Sequence, residues 1–478
     1  MIFMAINTHN YENDVRVMTG AFYPGEKIVI NNPEECRMCV HIQVDGAHIG
    51  GRITTEEKQY EIDVVSDDCS QGNVRNLLKR ELYHIYSAIT GKELPWGTLT
   101  GIRPVKIPLA LVEQGYDDNY ILGHFKNEYL VEESKAKLGL QVAHNEHALL
   151  SRLDYRNGYS LYIGIPFCPT TCLYCSFTSY PISMWKDRVD IYLEALFKEL
   201  KYLSILLKGR KPDSVYIGGG TPTTLLPYQL EKLFNFLEEH FDMKSVLEFT
   251  VEAGRPDSID MDKLKVIKAH GVDRISVNPQ TMNQKTLDFI GRRHTVEDIR
   301  RAYALARECG FDNINMDLIV GLPGETCDDV KFTLDEVAGL DPDSLTVHSL
   351  AIKRAAALNI FKDKYSDCHI ENTEAIMNMT YDFAISHGYE PYYLYRQKNM
   401  AGNLENVGYS KSGKAGVYNI LIMEEKQSIY AAGANSQSKI VFHDENRVER
   451  IENVKDVANY IDRIDEMIER KKTFFHGN

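Results

Sequence analysis

From Tyr159 onward the sequence alternates short apolar runs with longer amphipathic ones, and this rhythm constrains the fold more than any other feature. Repeated strand-length and helix-length patterns build parallel strands joined by helical crossovers. The runs are YSLYIGIP (159–166), DSVYIGG (213–219), LEFTVEA (247–253), DRISVNP (273–279), NINMDLIVGL (313–322) and DSLTVHSL (343–350). The clearest helix between them carries Val189, Tyr192, Leu193, Leu196, Leu200 and Leu203, spaced mostly by three and four. Repeats of this kind over roughly two hundred residues suit an α/β fold with a partial, TIM-like (β/α)6 barrel, because a complete eight-fold barrel needs about 250. An open doubly wound sheet is the alternative. Both architectures place their chemistry at the C-terminal ends of the strands.

The unusual residues gather at those ends. Cys168, Cys172 and Cys175 follow the first run, Gly218-Gly219-Gly220-Thr221-Pro222-Thr223 the second, Glu252 the third and Gln280 the fourth, and Asp317 lies in the fifth. Taken singly, glycines and prolines mark turns and a strand-end carboxylate caps the next helix. Their convergence on one rim is what points to an active site.

Flanking regions read differently. Residues 1–150 show strand-like alternation in KIVINN, CVHIQVDG and QYEIDVVS and a helical run from Gly72 to Thr90, which predicts a small N-terminal α/β domain. It closes with LPWGTLTGIRPVKI (94–107), a structured loop expected to dock that domain, with Arg103 as a lesser candidate for the active site. The barrel is expected over 155–355. Residues 356–478 predict an α+β cap that covers the substrate, with a helix at 371–387, strands at VYNILIM and IYAAGA, and an amphipathic helix at 452–470.

The chain has 478 residues, 44% of them hydrophobic, and a formal charge of -14. That acidity argues against a nucleic-acid partner, which wants a clustered basic face. No early apolar run with a cleavage signal and no apolar stretch long enough to span a bilayer is evident, so a soluble cytoplasmic protein without a membrane span is expected. Nine cysteines are too few and scattered for a disulfide framework. Cys69, Cys309, Cys327 and Cys368 read as packing or surface thiols, and Cys36 with Cys39 is a lone CxxC without a second pair.

The three rim cysteines are more informative. A structural zinc site closes with four ligands, and an electron-transfer iron–sulfur site also takes four thiolates. Three thiolates within IPFCPTTCLYCSF, with no nearby histidine, leave one iron open to bind a substrate. This CxxxCxxC spacing, with Tyr174 before the last cysteine and GGGTPT after the second run, resembles the radical S-adenosylmethionine superfamily. The resemblance implies a 4Fe-4S cluster on Cys168, Cys172 and Cys175. In that superfamily the open iron is chelated by the amino and carboxylate groups of S-adenosylmethionine, whose reductive cleavage gives a 5'-deoxyadenosyl radical. It also implies cofactor contacts from Tyr162, Tyr174, Gly218, Gly219, Gly220, Thr221, Glu252, Gln280, Arg292 and Asp317, with Arg292 preferred over Arg293 because it follows Ile290-Gly291.

Within that superfamily YIGIPFC, GGGTPT, FTVEAGRPDS, IGRRHT and INMDLIVGLPGET resemble the oxygen-independent coproporphyrinogen III dehydrogenase family. LPWGTLTGIRP and PYYLYRQKNMAGNLENVGY resemble its HemZ-type branch. The family's reaction would be oxidative decarboxylation of two coproporphyrinogen III propionates to vinyl groups, in heme biosynthesis. The reductant would be a protein such as flavodoxin or ferredoxin.

Arg396 and Lys398 are the candidate propionate partners, Tyr393 and Tyr395 the candidate stacking faces, and His348 a candidate wall of the site. Phe177 stands where established dehydrogenases carry a further cysteine, as in the heme-chaperone relatives. Those relatives, however, carry a His-Asn pair where this chain has Val417-Tyr418-Asn419-Ile420-Leu421. Three functions stay open: a porphyrinogen-decarboxylating enzyme, a heme chaperone that keeps the cluster, and a radical enzyme for another tetrapyrrole.

Overall fold

The computed structural model describes residues 1–30, 36–175, 179–351, 370–397 and 404–477. Phe177, Cys368 and Lys398 therefore lie outside the described residues. The chain divides into two compact units, one of Met1–His144 with the short segment starting at Arg396, the other containing the remainder.

In the N-terminal unit a five-stranded sheet, counted among the described residues, runs in the order Ile28–Val29, Ile2–Ile6, Met38–Asp45, His48–Thr55, Gln59–Val65. Alternation decides its faces: Met38, Val40 and Ile42 are buried while His41 and Gln43 are exposed. Helices Glu12–Phe22 and Gln71–Thr90 lay Val15, Met18, Phe22, Val74, Leu78 and Leu82 on that buried face. The loop predicted at 94–107 is ordered within this unit: Trp96 is buried and Thr98 N–H donates to the Tyr129 carbonyl at 2.7 Å.

The larger unit is built on one sheet, eleven-stranded among the described residues. Its center is six parallel strands: Tyr159–Ile165, Pro212–Gly219, Glu248–Glu252, Arg274–Ser276, Ile314–Val320 and Ser344–Ser349. They lie side by side in strict chain order. A doubly wound sheet reverses its order at a switch point, so this sequence of neighbours identifies the barrel type. Each strand is buried along most of its length, which is why it reads as a continuous apolar run.

The crossover helices behave as their periodicity requires. Val189–Leu206 buries Val189, Tyr192, Leu193, Leu196, Leu200 and Leu203 on one face. Thr295 and Thr326 begin Val296–Glu308 and Cys327–Leu340 with reciprocal capping boxes to Asp298 and Asp329.

The C-terminal strands continue the barrel sheet at both edges. Asn406–Ser410 pairs antiparallel with the sixth strand and Glu390–Tyr395 pairs outside it. At the other edge Ile429–Ala432 lies parallel to the first strand and leads into the antiparallel hairpin Gln437–Phe442 and Arg447–Glu452. Expected helix 371–387 is found as Glu374–Ser386.

Two expectations change. VYNILIM forms a helix, Val417–Glu424, because the Glu248 carboxylate accepts from the Val417 and Tyr418 amides at 2.7 and 3.1 Å. Capping of these otherwise orphaned groups favours a helix for a short apolar run that periodicity cannot assign. The long helix expected at 452–470 is two pieces, Val457–Asp462 and Ile464–Gly477, preceded by an Asp456 N-cap.

Candidate active site

The cysteines occupy the connection after the first strand. Phe167–Cys168 forms a short parallel pair with Tyr180–Pro181. Leu173 N–H donates to the Ile290 carbonyl at 3.0 Å and Thr170 Oγ1 to the Gly291 carbonyl at 3.1 Å, so residues 290–291 hold the loop from the opposite side. Cys172 is buried, and Cys168 and Cys175 are half-buried. Burial pushes the Cys168 thiol up, against an opposing hydrogen bond from Thr221 Oγ1 at 3.5 Å. Arg255 Nη1 stands 3.7 Å from Cys172 Sγ.

Next to the cysteines the glycine run crosses close to the backbone. Gly219 has φ +104°, a conformation that side chains avoid. A Cβ on Gly220 would meet the Phe167 carbonyl oxygen at 2.6 Å, because Gly220 N–H and Thr221 N–H donate to the Ile165 and Phe167 carbonyls. Gly218 lies against the Glu252 carboxyl.

Glu252 accepts from Tyr216 Oη at 2.5 Å and from Gly219 N–H at 3.2 Å. Desolvation at the barrel mouth, reinforced by Asp317, nevertheless pushes its carboxyl up to about 7. Tyr162 stacks on Tyr216 at 6.1 Å between centroids, and Tyr418 stacks on Tyr216 at 4.4 Å.

Across the mouth, Asp317 accepts from Asn278 Nδ2 at 2.8 Å and Asn315 Nδ2 at 2.7 Å. His348 Nε2 lies 3.8 Å from its carboxylate. Burial pushes Asp317 up, but His348, Asn315 and Thr346 outweigh it and hold the carboxyl below its usual range. Gln280 has φ +68° and is threaded into the fifth strand by bonds to Asp317 and Ile319. Arg292 is buried and donates to the Asn278 carbonyl at 2.5 Å; burial works to lower its pKa, but Tyr174 and Cys172 beside it outweigh this and raise it. Burial pushes the Tyr174 hydroxyl up, with Arg292 opposing.

The remaining candidates fall in two places. Tyr395 Oη meets His348 Nδ1 at 3.3 Å, and Tyr393 stacks on Tyr395 at 6.1 Å. Arg396 belongs to the N-terminal unit, where its amide donates to the Ile102 carbonyl at 2.7 Å and its guanidinium to the Leu99 carbonyl. Arg103 is half-buried in the same unit. Cys36 and Cys39 are half-buried there, and burial pushes the Cys39 thiol up.

Sequence reasoning passed over Arg255, Asn278 and Tyr216. The signal for Arg255 was GRPDS directly behind Glu252, and that for Tyr216 was an aromatic two residues before the glycine run.

No three His, Cys, Asp or Glu side chains among the described residues are gathered as a metal-binding group. The three thiols share one loop after the first strand. Their chemistry fits an iron–sulfur cluster, since soft thiolates are its ligands and no fourth thiol stands in the loop. The glycine run supplies room for a small molecule beside it, room that a Cβ at Gly218 would close against Glu252 at 2.7 Å.

Comparison with known proteins agrees. The profile of the radical SAM superfamily matches residues 162–337. The chain is 38% identical over 435 residues, 90% of its length and 87% of the relative's, to the oxygen-independent coproporphyrinogen-III oxidase-like protein HemZ of Bacillus subtilis (strain 168). It is 34% identical over 314 residues, 64% of its length and 76% of the relative's, to the heme chaperone HemW of the same organism. Among solved structures, the coproporphyrinogen III oxidase HemN of Escherichia coli, a radical SAM enzyme, superposes with a TM-score of 0.53. The identity there is 25%, over 67% of this chain and 73% of that one. No helix among the described residues is long and apolar enough to cross a membrane. The chain belongs to the radical SAM superfamily, in the coproporphyrinogen III oxidase-like family of the HemZ type, whose cofactors are a 4Fe-4S cluster and S-adenosylmethionine.

Proposed function

We propose that the chain is a radical SAM oxidoreductase that decarboxylates propionate side chains of coproporphyrinogen III to vinyl groups. The observation that carries this reading is the likeness to HemZ, which extends over 90% of the chain and therefore far beyond the cysteine loop. When bound, the cluster and S-adenosylmethionine supply the hydrogen-abstracting radical, and the protein supplies placement and shielding.

Cys168, Cys172 and Cys175 would hold the cluster. Gly218, Gly219, Gly220 and Thr221 would let the methionine portion approach backbone, with Tyr162 and Tyr174 closing the walls. Glu252, as a carboxylate, is suited to the ammonium, Arg292 to the carboxylate, and Gln280 and Asp317 to the ribose. Tyr393, Tyr395 and His348 are suited to the pyrrole edge. Arg396 and Lys398 are the proposed partners of the propionates. A reducing protein such as flavodoxin or ferredoxin would deliver the electron.

The second reading is a heme chaperone, favoured by the 34% identity to HemW. Reconstituted protein incubated with S-adenosylmethionine, reductant and coproporphyrinogen III separates the two by mass spectrometry. Carbon dioxide with a vinyl product is expected. Stoichiometric heme binding without turnover would overturn the enzyme reading.

A further inference from the structure

None of the roles above uses Arg255. It follows the third strand, in the turn that enters Pro256–Ser258, and is only 4% exposed. A buried guanidinium needs every donor satisfied, and the way these donors are spent is informative. Nε and Nη2 donate to the two oxygens of Asp257 at 3.0 and 2.9 Å. Nη2 also reaches Thr170 Oγ1 at 3.0 Å, while Nη1 reaches the Thr170 carbonyl at 3.2 Å and Cys172 Sγ at 3.7 Å. One side of the fork is thus fixed by a carboxylate, and the other grips the cysteine loop at two residues.

Asp257 is itself secured. Burial pushes its carboxyl up, but His294 and Arg255 outweigh this and hold it well below the usual carboxylate range. His294 Nδ1 lies 3.6 Å from Asp257 Oδ1. The anion that orients Arg255 therefore persists across the physiological range.

We infer that Arg255 is a positioning residue of the cysteine loop, and that its charge beside Cys172 sets the reduction potential of the cluster held there. Reduction adds one electron to the cluster, taken from the external reductant, and no bond forms or breaks. A fixed cation and an N–H···S contact stabilise the more negative, reduced state, the more so away from water. The inference rests on the family's cluster and not on the porphyrinogen reading, so the two can fail separately.

The test is an EPR-monitored titration with dithionite of the reconstituted full chain, in wild type and in R255Q, R255K, D257N and R447Q. R447Q removes a positive charge on the distant hairpin. Expected is a shift of R255Q to more negative potential, about tenfold in the oxidised-to-reduced ratio, or about 59 mV for a one-electron couple. R255K should recover part of it, D257N, which removes the anion that offsets the Arg255 charge, should move to more positive potential, and R447Q should not move. R255Q with full iron content and an unchanged midpoint overturns the inference. If R255Q fails to hold the cluster, D257N decides: an upward shift supports the inference, and an unchanged or downward-shifted midpoint overturns it.

Discussion

Lys471–Glu199 and Arg255–Asp257 are both salt bridges largely withdrawn from water in the same unit, yet their remaining hydrogen-bonding capacity goes to different places. Lys471 and Glu199 are 1% and 0% exposed, and the pair is closed on itself. Glu199 accepts from Lys471 at 2.6 Å, Asn453 at 2.8 Å, Gly433 N–H at 2.9 Å and Tyr460 Oη at 2.5 Å, and Lys471 also donates to Asn453 Oδ1. Every partner is another piece of scaffold, so the network ties the last helix to the first crossover helix. Arg255 divides its donors between an orienting carboxylate and the loop that carries the cysteines. A closed network stabilises what surrounds it; a directed one controls something beyond itself.

That contrast can be broken at several points. Cys172→Ala should abolish iron incorporation altogether, read by iron content and visible absorbance, while leaving the unloaded chain folded by circular dichroism. Lys471→Ala should do the reverse. Removing one partner of a buried pair costs about 3–5 kcal/mol, so the unfolding midpoint in guanidinium should fall sharply while iron per folded chain stays constant. Replacing the pair together, Glu199→Gln with Lys471→Met, should return part of that loss if the closed network is only scaffold. Gly220→Ala tests the rim between the two, since its Cβ would overlap the Phe167 carbonyl; about 1–3 kcal/mol of stability and weaker S-adenosylmethionine binding are expected.

The smallest effect concerns Glu252, whose raised pKa works in opposite senses for stability and for binding. Its native-state pKa of about 7 lies above its ordinary value, so its contribution to the stability of the unloaded chain is present in acid and is lost as pH rises through 7. On the proposed pairing of the Glu252 carboxylate with the ammonium, affinity for S-adenosylmethionine should rise about tenfold per pH unit toward 7 and then level off. Calorimetry from pH 5.5 to 8.5 should show that slope in the wild type and its absence in Glu252→Gln.

The central barrel was legible because fully buried parallel strands must be apolar, and Tyr159–Ile165 through Ser344–Ser349 fall within a residue or two of the runs read from sequence, apart from the shorter Arg274–Ser276. The gathering of Glu252, Gln280 and Asp317 near one end of the sheet was legible because polar residues interrupt those runs there. The edges were not. Nothing local in Ile429–Ala432 says that its partner is Tyr159–Ile165, and the helix Val417–Glu424 exists because a glutamate about 170 residues earlier caps it. Arg255 escaped notice for a related reason: its meaning lies in Thr170 and Cys172, which only folding brings to it.

The pairing of Ile429–Ala432 with the first barrel strand has a consequence for biosynthesis. The Ser160 amide and hydroxyl both donate to a segment some 267 residues downstream, the amide to the Ser428 carbonyl and the hydroxyl to Gln427 Oε1. As the chain leaves the ribosome, the founding strand of the sheet therefore waits with one edge open until that segment is made. An open apolar edge is a template for association with other chains. Truncations before about residue 427 should accordingly accumulate as aggregates even though the cysteine loop and all six central strands are present, and long-range closure of this kind makes the last step of folding slow.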